Sequence, residues 1–291
     1  MSSPRFGRVV VVGAGTMGHG IAQVAAMAGS EVVLCDAQPA ALQRGLAAIA
    51  ANLDKGVARG KVDAADRDAT LARLRGEADL AAACAGADLL VEAVPENVEL
   101  KRRVFAAAGA ALPPGAVVAT NTSSIPLRTL ADALPDPSRF CGMHFFNPVH
   151  IQPLLEVVQA DSTSEETITA VVDYGRALGK EPIVVRDVAG FASSRLGLAL
   201  GLEAIRMLEQ GVASAADIDK AMTLGYRHPM GPLALTDLVG LDVRLAIAET
   251  LAREIDPVRF SPPQLLRDLV AAGKLGKKSG EGFYRYASSP E

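Results

Sequence analysis

Short β-branched runs alternate with longer alanine-rich stretches through the first two thirds of the chain. The runs at 8–12, 31–35, 87–94, 115–120, 138–143, 153–159 and 181–186 have strand character. The stretches at 16–29, 39–58, 64–73, 97–111 and 164–178 carry helical spacing. This alternation predicts an α/β fold, with a mostly parallel sheet and helices on both faces. The 39–73 region is longer than an ordinary crossover. It reads as two helices with Gly60 near their junction, a candidate arm for contacting a large substrate. After Asp187 the pattern becomes helical only. A long helix from Phe191 to Gln210 ends at Gly211, a helix C-terminal signal. Further helices are expected at 214–224, 231–252 and 261–272, with no strand before Phe283. The expected boundary near 186–190 gives a sheet domain at 1–187 and a helical domain at 188–291.

The first strand, Arg8-Val-Val-Val-Val12, runs straight into Gly13-Ala-Gly-Thr-Met-Gly18. A second apolar run, Val32-Val33-Leu34-Cys35, ends in Asp36, 18 residues beyond Gly18. These are the parts of a Rossmann-type dinucleotide-binding βαβ unit, in order. Gly13 permits the turn out of the strand, Gly15 lets a pyrophosphate approach the backbone, and Gly18 lets helix and sheet pack closely. Thr16 and Met17 open the helix, whose N-terminus offers free N–H groups and a positive dipole end to phosphate. Asp36 would accept hydrogen bonds from the ribose hydroxyls and repel a 2′-phosphate. Ala37-Gln38-Pro39 supplies no arginine to receive one, so NAD is the expected cofactor.

The chain has 291 residues, 49% hydrophobic and 21% charged, which is enough for two domains with ample core. No apolar run is long enough to span a membrane. The N-terminus leads directly into the first strand, so no signal peptide is expected. Cys35, Cys84 and Cys141 are odd in number and set among apolar residues. Buried, reduced thiols and a cytoplasmic location fit them, and no spacing suggests a metal. A net charge of −4 gives no general attraction to nucleic acid or to an anionic membrane.

Asn121-Thr-Ser-Ser124 follows an apolar strand and so lies at a strand end facing the ligand crevice of an open sheet. His144 sits at another strand end, in His144-Phe-Phe-Asn-Pro148. Glu156 lies inside the apolar run Leu154-Leu-Glu-Val-Val158, where a carboxylate needs a partner. A buried Glu accepting from one imidazole nitrogen would leave the other as a base. The same residue types equally suit a structural loop histidine and a Glu satisfied by backbone. His19 is expected to pack near the phosphates, His150 to lie at a cleft mouth, and His228 to serve a turn.

Seven segments occur together in one order: Gly-Ala-Gly-Thr-Met-Gly, Val91-Glu-Ala-Val-Pro-Glu-Asn97, Thr120-Asn-Thr-Ser-Ser124, His144-Phe-Phe-Asn-Pro148, Gly190-Phe191, Pro229-Met-Gly-Pro232 and Gly280-Glu-Gly-Phe-Tyr284. With them the chain resembles the L-3-hydroxyacyl-CoA dehydrogenases, in particular the bacterial 3-hydroxybutyryl-CoA type, over nearly its whole length. The resemblance implies NAD-dependent, reversible oxidation of (3S)-3-hydroxyacyl-CoA to 3-oxoacyl-CoA in fatty acid or butanoate metabolism, by a homodimer joined through the helical domain. It implies His144 as the base, Glu156 as its orienting carboxylate and Ser123 as a hydrogen-bond partner of the reacting oxygen. Glu96, Lys101 and Asn121 would lie near the nicotinamide, and Asn147 would be a further substrate contact. By residue type alone, Glu96 and Lys101 also suit a solvated pair.

One position departs from the family pattern. Gly190-Phe-Ala-Ser-Ser-Arg195 places Ser194 where many relatives carry an Asn that contacts substrate. Ser194 can hold the acyl thioester region or be an ordinary small helical residue. Lys55 and Arg59, with Lys61, could meet the phosphates of CoA, although Asp54 and Asp63 dilute the patch. Other readings of the chain are a dehydrogenase of a free 3-hydroxy acid or a sugar acid such as L-gulonate, and a non-catalytic nucleotide-binding relative.

Overall fold

A computed structural model describes residues 5–286. The chain divides into two compact units, Met1–Asp187 and Val188–Glu291. No helix among the described residues is long and apolar enough to cross a membrane.

The first unit is built on an eight-stranded sheet. Its strands are β1 (Arg8–Val12), β2 (Glu31–Cys35), β3 (Leu74–Glu77), β4 (Leu89–Glu92), β5 (Val117–Thr120), β6 (Phe140–Phe145), β7 (Leu154–Gln159) and β8 (Glu181–Arg186). Their order across the sheet is β3-β2-β1-β4-β5-β6-β7-β8. Every pairing is parallel except β6 with β7, which is antiparallel. The central strands are buried on both faces, so they are apolar without alternation, as parallel strands covered by helices must be. The covering helices are α1 (Thr16–Met27), α2 (Pro39–Ala58), α3 (Ala64–Ala72), α4 (Leu80–Cys84), α5 (Val98–Ala111), α6 (Arg128–Ala131) and α7 (Glu165–Ala177).

Three elements here are absent from the sequence reading. Strand β3 is Leu-Arg-Gly-Glu, with one apolar residue and no alternation. It pairs because Gly76 passes under Leu42 and Leu46 of α2, where a Cβ would lie 3.1 Å from each side chain. Helices α4 and α6 are a turn long and carry too few residues to show a period. Helix α4 is instead set by Asp79, whose carboxylate accepts from Ala82 N at 2.7 Å.

The second unit holds α8 (Ser193–Glu209), α9 (Ala215–Gly225), α10 (Pro232–Val239), α11 (Leu241–Glu254) and α12 (Gln264–Ala271). The expected single helix over 231–252 is two helices. Gly240, at φ 105°, ends α10 and starts α11, a conformation few other residues adopt. Two buried aspartates fasten this unit. Asp219 accepts from the N–H groups of Leu233 and Ala234 at the start of α10 and from the Tyr284 hydroxyl. Asp237 accepts from Phe283 N, Tyr284 N and the Tyr286 hydroxyl, each at 2.9 Å. The tyrosine hydroxyls are pushed up in pKa by burial and then by these carboxylates.

Candidate active site

The carboxyl ends of the parallel strands carry the chemistry-bearing residues of the first unit. The glycine turn after β1 is a close-packed cradle. A Cβ on Gly13 would lie 2.7 Å from the Ala93 carbonyl oxygen, and one on Gly18 would run into the carbonyl of Gly13. Beside Gly15 there is open space, which is what the approach of a pyrophosphate requires. Asp36 follows β2. Its carboxylate accepts from Ala14 N and Gln38 N, both at 2.9 Å, so it is fixed against the glycine turn. Thr16 and Met17 open α1, whose N-cap Gly15 makes no side-chain cap bond. These residues fit NAD: a turn whose three glycines leave the backbone open at Gly15, a helix N-terminus, and an acid at the end of the second strand.

His144 and Glu156 are register partners on the antiparallel pair β6 and β7. Residues directly opposite in such a pair have Cβ atoms about 4.5–5.5 Å apart, so their side chains meet. The imidazole Nδ1 lies 2.7 Å from Glu156 Oε2. A carboxylate can only accept, so Nδ1 carries the proton and the lone pair falls on Nε2. Glu156 is fully buried and His144 is 6% exposed. The Phe146 ring packs beside the imidazole, with centroids 4.5 Å apart.

A second polar cluster lies between β4, β5 and α5. Glu92, at the end of β4, is a register neighbour of Thr120 on β5 and receives its hydroxyl at 2.6 Å. Lys101, on α5 and 1% exposed, donates to both oxygens of Glu92, at 2.7 and 2.9 Å. It also reaches Glu96 at 3.3 Å. Glu96 in turn gathers the 122–124 loop: its Oε1 accepts from the Thr122 hydroxyl and from the N–H groups of Ser123 and Ser124. Burial works to raise the Glu96 pKa. The charge of Lys101 and the bonds from Thr122 and Ser123 outweigh it, and the net shift is downward.

Lys101 and Glu96 are thus not a solvated helical pair. They link buried Glu92 to the backbone of Ser123. Glu92 escaped the sequence reading because its segment, Leu-Leu-Val-Glu, looks like any strand end. A fully apolar run closing on an acid was the available signal, the same one that marked Asp36 after β2. Asn121 directly follows β5; its backbone N–H donates to the Glu92 carbonyl at 2.8 Å, and its amide oxygen accepts from Phe145 N on β6 at 2.9 Å. Asn147 is exposed on the turn after β6.

Lys55 and Arg59 lie in the last turn and C-cap of α2, the first helix of the expected arm. They line a groove of about 510 Å³ with Lys61, Gln23, Asn52 and His150. Asp54, expected to dilute the patch, pairs instead with Arg67 at 2.9 Å. Among the described residues Lys55, Arg59 and Lys61 have no ion-pair partner. The His150 pKa is lowered by burial and then by the charges of Lys180 and His19. Lys180 is buried, donating to the carbonyls of Val149 and Gln152, and so supports the turn that carries His150. Ser194 falls in the first turn of α8, in the second unit.

The profile of the 3-hydroxyacyl-CoA dehydrogenase NAD binding domain matches residues 8–188, and that of the C-terminal domain matches 190–286. A probable 3-hydroxybutyryl-CoA dehydrogenase of Deinococcus radiodurans is 44% identical over 276 residues, covering 95% of this chain and 99% of that protein. A 3-hydroxybutyryl-CoA dehydrogenase of Mycobacterium tuberculosis is 43% identical, covering 96% of this chain and 98% of its own. The solved (S)-3-hydroxybutyryl-CoA dehydrogenase of Ralstonia eutropha superposes with a TM-score of 0.94 at 40% identity, over 97% of this chain and all of that one. The fold and the strand-end cluster define an NAD-dependent oxidoreductase. Within that class, the chain belongs to the 3-hydroxyacyl-CoA dehydrogenase family.

Proposed function

We propose that the substrate is a (3S)-3-hydroxyacyl-CoA, such as 3-hydroxybutyryl-CoA, interconverted with its 3-oxo form. The observation that carries the reading is the His144–Glu156 pair at 2.7 Å, buried on adjacent strands. NAD bound at the glycine turn supplies the hydride acceptor. His144 Nε2 takes the proton of the 3-hydroxyl as the C3–H bond breaks, and the bond from Nδ1 to Glu156 fixes the ring's tautomer and orientation so that Nε2 is the acceptor. Glu156 then faces the imidazolium that forms. Ser123, its backbone fixed by Glu96, hydrogen-bonds the reacting oxygen. Asn121 holds the nicotinamide riboside from the end of β5, and Asn147 contacts substrate beyond His144. In the second unit, Ser194 touches the thioester region from α8.

Three cations line one groove without acidic partners, and that arrangement suits the phosphates of CoA. The enzyme acts as a homodimer joined through the helices after residue 190, in the cytoplasm. The test is steady-state rates with acetoacetyl-CoA, free acetoacetate and gulonate, each with its matching form of NAD. High kcat/KM with the thioester alone is expected. Faster turnover of either free acid would replace this reading with a hydroxy-acid dehydrogenase. Light scattering that finds a stable monomer at micromolar concentration would remove the dimer.

A further inference from the structure

Glu92 and Lys101 are buried charges to which the chemistry above gives no task. Glu92 is fully buried and Lys101 is 1% exposed. Donors surround the Glu92 carboxylate. Its Oε1 accepts from Val94 N at 2.6 Å and from Lys101 Nζ at 2.7 Å. Its Oε2 accepts from the Thr120 hydroxyl at 2.6 Å and from the same Nζ at 2.9 Å. The Thr120 oxygen itself accepts from Thr122 N, which leaves its proton for Glu92. A carboxyl group that only accepts is ionised. Stability alone does not account for the pair, because a buried ion pair is often no better than apolar residues of similar volume.

Lys101 stands between two acids of unequal burial. Its bonds to Glu92 are short, whereas Glu96, with a side chain 38% exposed, lies 3.3 Å away. Burial opposes the ionisation of Glu96, but the charge of Lys101 and the bonds from the 122–124 loop outweigh it and lower the pKa. The three groups therefore hold two negative charges and one positive. Without Glu92, Lys101 would cancel the charge of Glu96. With it, the cluster keeps one net negative charge.

The cluster lies on the half of the sheet that faces the reacting end of the cofactor. The strand order β3-β2-β1-β4-β5-β6 joins two mononucleotide-binding halves, and a dinucleotide lies across the reversal between β1 and β4. Asp36, after β2, marks the adenosine half. The nicotinamide half is then at the ends of β4 and β5, where Glu92, Asn121 and the loop gathered by Glu96 stand. The nicotinamide ring is cationic in NAD+ and neutral in NADH, so a net negative charge favours the oxidised form.

We propose that Glu92, acting through Lys101, sets the preference of the site for the oxidised cofactor. It neutralises Lys101, so the charge of Glu96 stays uncancelled on the nicotinamide side of the sheet. The inference rests on the reading that places the nicotinamide at the end of β5.

The experiment measures Kd for NAD+ by calorimetry and for NADH by its fluorescence, in wild type and in variants that step the charge of the cluster. Glu92→Gln, uncharged and of the same shape, brings the cluster to zero. It should raise Kd for NAD+ relative to NADH about three- to tenfold, the scale of one unit charge acting across a partly solvated site. Lys101→Met brings the cluster to minus two and should shift the ratio the other way. The double variant returns the cluster to minus one and should return the ratio toward wild type, although every bond of the pair is gone. Loss of packing or of loop order weakens both forms alike and does not produce that sequence. A ratio that is the same in all four proteins, while Asn121→Ala weakens both forms, overturns the inference and leaves the placement of the nicotinamide standing. An Asn121→Ala protein that binds both forms as wild type does overturns the placement, and the inference with it. If Glu92→Gln does not fold, Lys101→Met and the double variant still differ by one unit of charge, and equal ratios in those two overturn the inference.

Discussion

At the scale of single residues, the site consists of acids placed where strand register forces them to meet a partner. If His144 is the base, His144→Gln should lower kcat by about 10²–10⁴, the worth of a positioned acid–base group. Glu156→Gln should lower kcat while KM for NADH stays within the wild-type range, since Glu156 acts on the imidazole. Near-normal kcat in His144→Gln would remove the mechanism. Asp36 should give NADH a higher kcat/KM than NADPH, and Asp36→Ala should narrow that gap; equal use of both by the wild type would contradict the assignment. Lys101→Met leaves the buried Glu92 carboxylate without its cation, at a cost of about 3–5 kcal/mol in stability. Adding Glu92→Gln should recover part of it. Urea denaturation of the two single variants and the double variant reads the coupling, and strict additivity would mean that the pair is not the unit described.

At the scale of elements, carboxylates fasten the 122–124 loop and the 283–286 segment. Glu96 gathers the 122–124 loop, and its folded-state pKa lies below the ordinary carboxylate value. Its contribution is therefore fully present above the unfolded value and lost as pH falls through the lower folded one. Thermal melts of wild type and Glu96→Gln should differ at neutral pH and converge in acid; a gap that widens toward low pH would reverse the sign of this linkage. In the second unit, Asp237 receives two backbone amides and a tyrosine from the C-terminal segment. Asp237→Ala should cost at least about 1.5–3 kcal/mol, the worth of one hydrogen bond to a charged group. Calorimetry showing an unchanged Tm would mean that the segment is anchored by packing alone.

For the whole molecule, the three cysteines report on the core. Cys35, Cys84 and Cys141 are buried and free. Burial pushes their pKa values up to about 12, 11 and 12. They should resist a thiol-specific disulfide reagent in the native state and react together on denaturation. Because the folded pKa values are raised, their contribution to stability is intact below the ordinary thiol value of 9.0 and declines above it. Rapid labelling of any of them in native protein at pH 8 would contradict the packing.

The strand–glycine–helix unit, the apolar strands and the helical second half were legible in the sequence because each rests on local spacing. A glycine turn, a 3.6-residue period and an uninterrupted apolar run state their structure within a few residues. Edge strand β3 and the break at Gly240 were not legible, because each depends on what packs against it. The pairing of His144 with Glu156 was legible only as two residue types in want of partners. Their meeting was decided by the antiparallel register of β6 and β7, which a slip of one residue would undo. The joining of Glu92 to Lys101, and of Glu96 to Ser123, was likewise settled by tertiary structure. Glu92 and Lys101 are nine residues apart on a strand and the following helix, and Glu96 and Ser123 are 27 apart; neither spacing leaves a period in the sequence, so only the folded unit brings these groups together.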